Sequence, residues 1–236
     1  MSARRRDSAS RLRWIHDRLL EAYGPQSWWP AQSRFEVVLG AYLTQNTSWK
    51  AVERSLANLA AASALTPEGF RALSVEELCE LIRPSGFVTR KGPALKAFMS
   101  MLDQEFEGSL DSLAASPTET LRMRLLALPG VGPETADAIL LYALGHAVPV
   151  ADEYLRRIAG RHGLIEPPTA KNRAGYETLV QLTRNAFDAE QETAQFFNEF
   201  HALTVAVGKT HCRKKPVCAG CPLAQDLPPG GPLHVP

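Results

Sequence analysis

The chain is short of cysteine: four among 236 residues, three of them between positions 212 and 221. A secreted disulfide framework spreads its half-cystines through a small domain, so that class is excluded. No apolar run reaches the roughly 18 residues that a membrane helix needs, and no membrane partner is expected. The basic start is followed by Asp7, Ser8, Ser10 and Arg11 rather than by an apolar stretch, so no secretory signal is read there and a cytoplasmic location is expected. Net charge is only +1, which leaves bulk composition silent about polyanionic partners. There is no fixed-period repeat and no clear alternating, strand-like run.

Helical stripes fill the chain instead. Leu12, Ile15, Leu19, Leu20 and Tyr23 recur at helical spacing within 11–23. Ser33 and Glu36 have capping-box spacing and open a helix that is apolar nearly all round, from Phe35 to Leu43, which predicts a buried central helix. A stripe through Trp49, Val52, Leu56 and Leu59 follows. Ser74 and Glu77 mark a second box, and Ser116-Pro117 with Glu119 a further helix start. Helices are also expected over 91–102, 152–162, 176–187 and 189–207, with a disordered tail after them. Apolar content of 45% suffices for a sizeable core. The cations fall in clusters: Arg4–Arg6 with Arg11 and Arg13; Arg90, Lys91 and Lys96; Arg156, Arg157 and Arg161; and Lys209 with Arg213–Lys215. These are either solvated surfaces or, if they converge, a phosphate track.

The stretch from Leu121 to Arg157 carries the chemistry. An apolar helix runs into Pro129-Gly130-Val131-Gly132, where proline ends the helix and glycine permits unusual backbone angles. Pro133 suits the first position of a new helix, with Glu134 in its first turn. Such a hairpin presents backbone N–H groups to a phosphate. Asp152 follows at the start of a third helix, as an N-cap, as a reacting carboxylate, or as both.

LPGVGPETA followed by VADEYLRR resembles the helix–hairpin–helix, Gly/Pro-rich and Asp motif of the DNA glycosylase superfamily that includes endonuclease III. WWP at 28–30, TQNTSW at 44–49 and GPETADAILLYA at 132–143 resemble its 3-methyladenine glycosylase branch. The resemblance implies an all-α, two-lobed fold with double-stranded, damaged DNA held between lobes. Residues 32–146 would be a six-helix barrel carrying the hairpin. Residues 1–31 and 147–236 would form a second lobe with a cysteine loop. A monomer associated with the nucleoid is expected.

The resemblance also assigns roles residue by residue. Gly130, Val131 and Gly132 would grip the DNA backbone. Gln45 would enter the stack where a base has been flipped out; without the resemblance it reads as a polar helix connector. Asp152 would stabilise the oxocarbenium-like sugar and orient water. Bifunctional members have a Schiff-base lysine where this chain has Glu134, and a carboxylate cannot form an imine, so a monofunctional enzyme is implied. Trp28, Trp29, Pro30 and Trp49 would wall a pocket for an alkylated, cationic base; packing is the alternative use of loop tryptophans.

Cys212-x5-Cys218-x2-Cys221 resembles the family's iron–sulfur loop, with the first spacing one residue short and Leu227 where the fourth cysteine would stand. Three readings follow: a [4Fe–4S] cluster completed by His211, Asp226 or His234, a zinc site, or a loop without metal. In the metal-bound readings the role is structural, fixing Arg213, Lys214 and Lys215 as phosphate contacts. His201 lies on an aromatic helix face and reads as a core residue. Two other functions compete with monofunctional excision: lesion recognition without catalysis, and lyase chemistry through a relocated amine such as Lys209.

Overall fold

In a computed structural model of the chain, residues 7–26, 33–165, 172–187 and 193–234 are described. Helices make up the regular structure, and no strand occurs among these residues. Among them no helix is long and apolar enough to cross a membrane. The chain divides into two compact units, one of Met1–Trp28 with Ala147–Pro236 and one of Trp29–His146.

Helix α1 (Ser8–Tyr23) belongs to the first unit and is capped by the Asp7 carboxylate, which accepts from Ser10 N. The second unit holds α2 (Arg34–Leu43), α3 (Trp49–Ala61), α4 (Pro67–Ala72), α5 (Val75–Leu81), α6 (Val88–Phe106), α7 (Leu110–Ala114), α8 (Thr118–Ala127) and α9 (Pro133–Ala138). A π-helical turn, Ile139–Ala143, continues α9. Of these eight, α4, α7 and α9 are short pieces of five or six residues. Helix α2 is the centre: all its residues except Arg34 and Glu36 are buried, and it packs against α3, α6, α9 and the π-helical turn. Phe35 meets Phe70 edge-on at 5.5 Å and Tyr42 meets Phe98 at 6.2 Å. Truncating Phe35, 2% exposed, removes burial worth about 3–5 kcal/mol.

Returning to the first unit, α10 (Glu153–Arg161) packs on α12 (Ala194–Thr210), and α1 packs on both α12 and α11 (Arg173–Ala186). His16, Phe187, Phe196 and Phe200 form one aromatic cluster.

Details of capping differ from the sequence-based expectation. The box at Ser74 and Glu77 is complete in both directions. At Ser33 the hydroxyl accepts from Glu36 N at 3.1 Å. Ser116 does not cap α8; Pro117 holds that position, and the Ser116 hydroxyl turns back toward Ser112 O at 3.5 Å. The tail expected to be disordered is tied down through His234: Leu233 N donates to Arg161 O at 2.9 Å.

Candidate functional site

The hairpin between α8 and α9 is built as proline and glycine dictate. Leu128 is extended, Val131 N–H closes the turn on Leu128 O at 3.3 Å, and Gly130 has φ +74°, a left-handed conformation that side chains resist. Gly132 differs. Its backbone is extended (φ −93°), and a Cβ added there would meet nothing within 4 Å. Nothing within the protein therefore demands glycine at 132. Gly130, Gly132 and Glu134 are exposed, whereas the Val131 side chain is buried and packs inward. A buried pair braces the two helices: Arg122 Nε and Nη2 reach Asp137 Oδ1 and Oδ2 at 2.6 and 3.0 Å.

Gln45 lies in the turn after α2 and reaches the hairpin. Its Nε2 donates to Gly130 O at 3.0 Å and to Thr135 Oγ1 at 2.9 Å. Trp49, first residue of α3, is 39% exposed. Trp28, Trp29 and Pro30 lie outside the described residues. Phe87 was not singled out by its sequence pattern. It is 58% exposed, follows Gly86 and holds a left-handed φ of +52°. Its large apolar side chain is thus held outward on a backbone conformation that side chains resist. The Ser-Gly-Phe break before a helix was its only signal in the sequence.

Lys91 ties these two turns together. Its buried ammonium donates to Leu43 O at 2.8 Å and Ser85 O at 2.9 Å, and burial holds its pKa below the usual lysine value. It is therefore not a phosphate contact. Neither is Lys96, whose ammonium donates to Phe70 O at 2.9 Å and to Leu73 O.

In the other unit Asp152 caps α10. Oδ1 accepts from Tyr154 N and Leu155 N, each at 2.9 Å, so the carboxylate sits on the positive end of the helix. Oδ2 lies 3.3 Å from His201 Nε2, with side-chain exposures of 11% and 8%. His201, read from sequence as a core residue, is thus brought to the one carboxylate that the motif singles out.

The cysteine loop is held largely by arginines. Arg157 Nε donates to Cys212 O at 2.9 Å, and Arg161 donates to Cys212 Sγ at 3.2 Å, Arg213 O at 2.6 Å and Lys214 O at 2.8 Å. Arg156 pairs with Glu153 at 2.7 Å. Arg157 and Arg161 therefore hold the loop and Arg156 pairs along its own helix, while Arg213, Lys214 and Lys215 are exposed. Cys212, Cys218 and Cys221 line one cavity together with His211 and Leu227. Burial, more than the neighbouring Cys218 and Cys212, raises the Cys221 thiol. Among the described residues no group of three or more His, Cys, Asp or Glu side chains is placed to hold a metal ion. A tetrahedral zinc, with Zn–S near 2.3 Å, is therefore not matched. Of the proposed fourth ligands, Asp226 is committed to Arg11 at 2.8 Å and His162 at 3.0 Å. His234 is exposed, and His211, whose Nδ1 lies 3.0 Å from Val217 O, lines the cavity. The three thiols share the lining of one cavity without being gathered into the ligand sphere of a single ion.

Comparison with known proteins places this arrangement. The family model for HhH-GPD superfamily base excision DNA repair proteins matches residues 39–179. A Methanocaldococcus jannaschii protein provisionally named as a DNA repair glycosylase is 41% identical over 215 residues, 89% of this chain and 93% of that one. The solved structure of H. pylori 3-methyladenine DNA glycosylase bound to 1,N6-ethenoadenine is 30% identical, with a TM-score of 0.71 over 87% of this chain and 98% of that one. A trapped endonuclease III–DNA covalent intermediate shares the fold at TM-score 0.77, over 94% and 96% of the two chains, with 21% identity. The chain belongs to the HhH-GPD superfamily of base excision DNA repair proteins, as an endonuclease III-like DNA glycosylase.

Proposed function

We propose that the protein is a monofunctional glycosylase that hydrolyses the N-glycosidic bond of alkylated bases in double-stranded DNA and leaves an abasic site. One observation carries the reading: the hairpin supplies an exposed carboxylate, Glu134, where a lyase needs an amine, while Asp152 remains as an anchored carboxylate. In this reading Gly130 and Gly132 let the backbone approach a DNA phosphate, and Gln45 and Phe87 meet the duplex. Arg213, Lys214 and Lys215 add sequence-independent affinity.

Asp152 then works electrostatically. As the base departs, positive charge develops on the sugar, and a fixed anion in a poorly solvated setting stabilises it without reorganising. Cationic alkylated purines have weakened glycosidic bonds and ask for little acid catalysis. The likeness to a 3-methyladenine glycosylase and the exposed Trp49 favour this substrate class. We read Cys212, Cys218 and Cys221 as holding a [4Fe–4S] cluster whose chemistry is structural, completing the loop that presents the basic residues. The enzyme would act as a monomer on the nucleoid.

The test is base release from duplexes carrying 3-methyladenine, 7-methylguanine, 1,N6-ethenoadenine or uracil, with borohydride trapping in parallel. Release from an alkylated duplex without a trapped adduct supports the proposal. Lesion-selective binding without release at excess enzyme would make the protein a recognition factor, and a trapped adduct would make it a lyase.

A further inference from the structure

We infer that His201 is a positioning residue for Asp152, holding the carboxylate through its second oxygen. This rests on the reading of Asp152 as the reacting carboxylate. The two oxygens of Asp152 have different surroundings. Oδ1 is fixed by two backbone N–H groups of its own helix, Tyr154 and Leu155. These bonds alone leave the carboxylate free to rock about its Cβ–Cγ bond. Oδ2 faces Nε2 of His201, which comes from α12 and is nearly fifty residues away in sequence. At 3.3 Å the two atoms are within ion-pair reach, but the ring is not aligned for a hydrogen bond in this structure; a small rotation of the imidazole that completes the bond would set the plane of the carboxylate.

The approach of the two helices makes this possible. Gly208 lies on α12 under the ring of Tyr154 of α10, and a Cβ there would fall 2.1 Å from Tyr154 Cδ1. Glycine at 208 lets α10 settle against α12 near their ends. His201, two turns earlier on α12, then stands beside the cap of α10. The Arg157 guanidinium lies 4.8 Å from the centre of the Tyr154 ring. The imidazole is itself buried, 8% exposed.

An Nε2–H that donates toward Oδ2 orients the anion and leaves its charge in place. That is the useful arrangement for a carboxylate that must sit close to a developing cation. A neutral donor of similar reach should therefore substitute, and an apolar isostere should not.

The test uses single-turnover base release on whichever lesion duplex the wild-type enzyme cleaves, with duplex affinity measured separately. His201→Leu is expected to slow release by about 10- to 100-fold, the cost of a misplaced catalytic group, with duplex Kd unchanged. His201→Gln or His201→Asn is expected to recover most of that loss. Full activity in the Leu variant, with Asp152→Asn inactive, overturns the inference and leaves the reading of Asp152 standing. An active Asp152→Asn variant overturns that reading itself. Should His201→Leu not fold, ¹⁵N-imidazole NMR on the wild-type chain decides: a proton on Nε2 of His201, with a ring shift changed by Asp152→Asn, supports the pair. A neutral ring protonated only at Nδ1 overturns it.

Discussion

The side-chain amide of Gln45 donates to the backbone carbonyl of Gly130 at 3.0 Å, so the turn after α2 and the glycine hairpin form one surface. In the protein alone Gln45 rests on the hairpin. To enter a duplex it must exchange these bonds for others. Gln45→Ala should therefore cost only about 0.5–1.5 kcal/mol of stability but weaken binding to a lesion duplex more than to an intact one. Thermal melting and paired affinity measurements check this; equal losses on both duplexes would assign Gln45 to the fold alone.

The two hairpin glycines should respond differently. Gly130→Ala forces a side chain into a left-handed backbone and is expected to lose about 1–2 kcal/mol of stability. Gly132→Ala places a methyl group in open space and should melt like the wild type, yet bind every duplex more weakly. Unchanged affinity in Gly132→Ala would remove that turn from the DNA contact.

The Arg122–Asp137 pair is buried between the hairpin's helices, with side-chain exposures of 14% and 3%. Arg122→Ala removes the two-pronged partner of a carboxylate that is 3% exposed and is expected to cost about 3–5 kcal/mol, more than loss of an exposed pair would. Denaturant unfolding measures it, and a cost below 1 kcal/mol would show that the helices are held by packing alone.

Much of this architecture could be read in the sequence because its signals are local. Proline and glycine mark the hairpin, the apolar run at 35–43 marks the central helix, and Ser74 with Glu77 marks a cap. The cations could not be read that way. Arg11, Lys91, Lys96, Arg157 and Arg161 look like candidate phosphate contacts, yet each spends its donors on partners far along the chain: Asp226, Leu43 O, Phe70 O, Cys212 O and Lys214 O. Charge pattern records that a cation is present, not which carbonyl the fold brings to it. The Asp152–His201 pair escaped for the same reason. Its two members lie on different helices, and no spacing rule joins them.

Lys214 and Lys215 are exposed charges on the loop that Arg157 and Arg161 hold. Replacing both with alanine should lower affinity for all duplexes alike and reduce the salt slope by about 1–2. Titrations across salt concentration read this directly, and an unaltered slope would detach the loop from the phosphates.

The C-terminal segment should loosen in acid. Burial by itself would raise the Asp226 carboxyl, but hydrogen bonds from His162 and Arg11 outweigh it and hold the group below its ordinary 3.8. A carboxyl depressed in the folded state stabilises above its unfolded pKa, and that contribution is lost as pH falls through the folded value. Proteolysis of the tail should therefore rise below about pH 4, and Asp226→Asn should raise it at neutral pH and remove the acid step. A pH-independent cleavage rate in the wild type would contradict this role.

The central claim is that the carboxylate at 152 makes this chain an excising enzyme. Single-turnover release of 3-methyladenine from a duplex, wild type against Asp152→Asn, tests it most directly. The account predicts free base and an abasic site from the wild type, and little release from the variant at undiminished duplex affinity. Equal release by both proteins would contradict it.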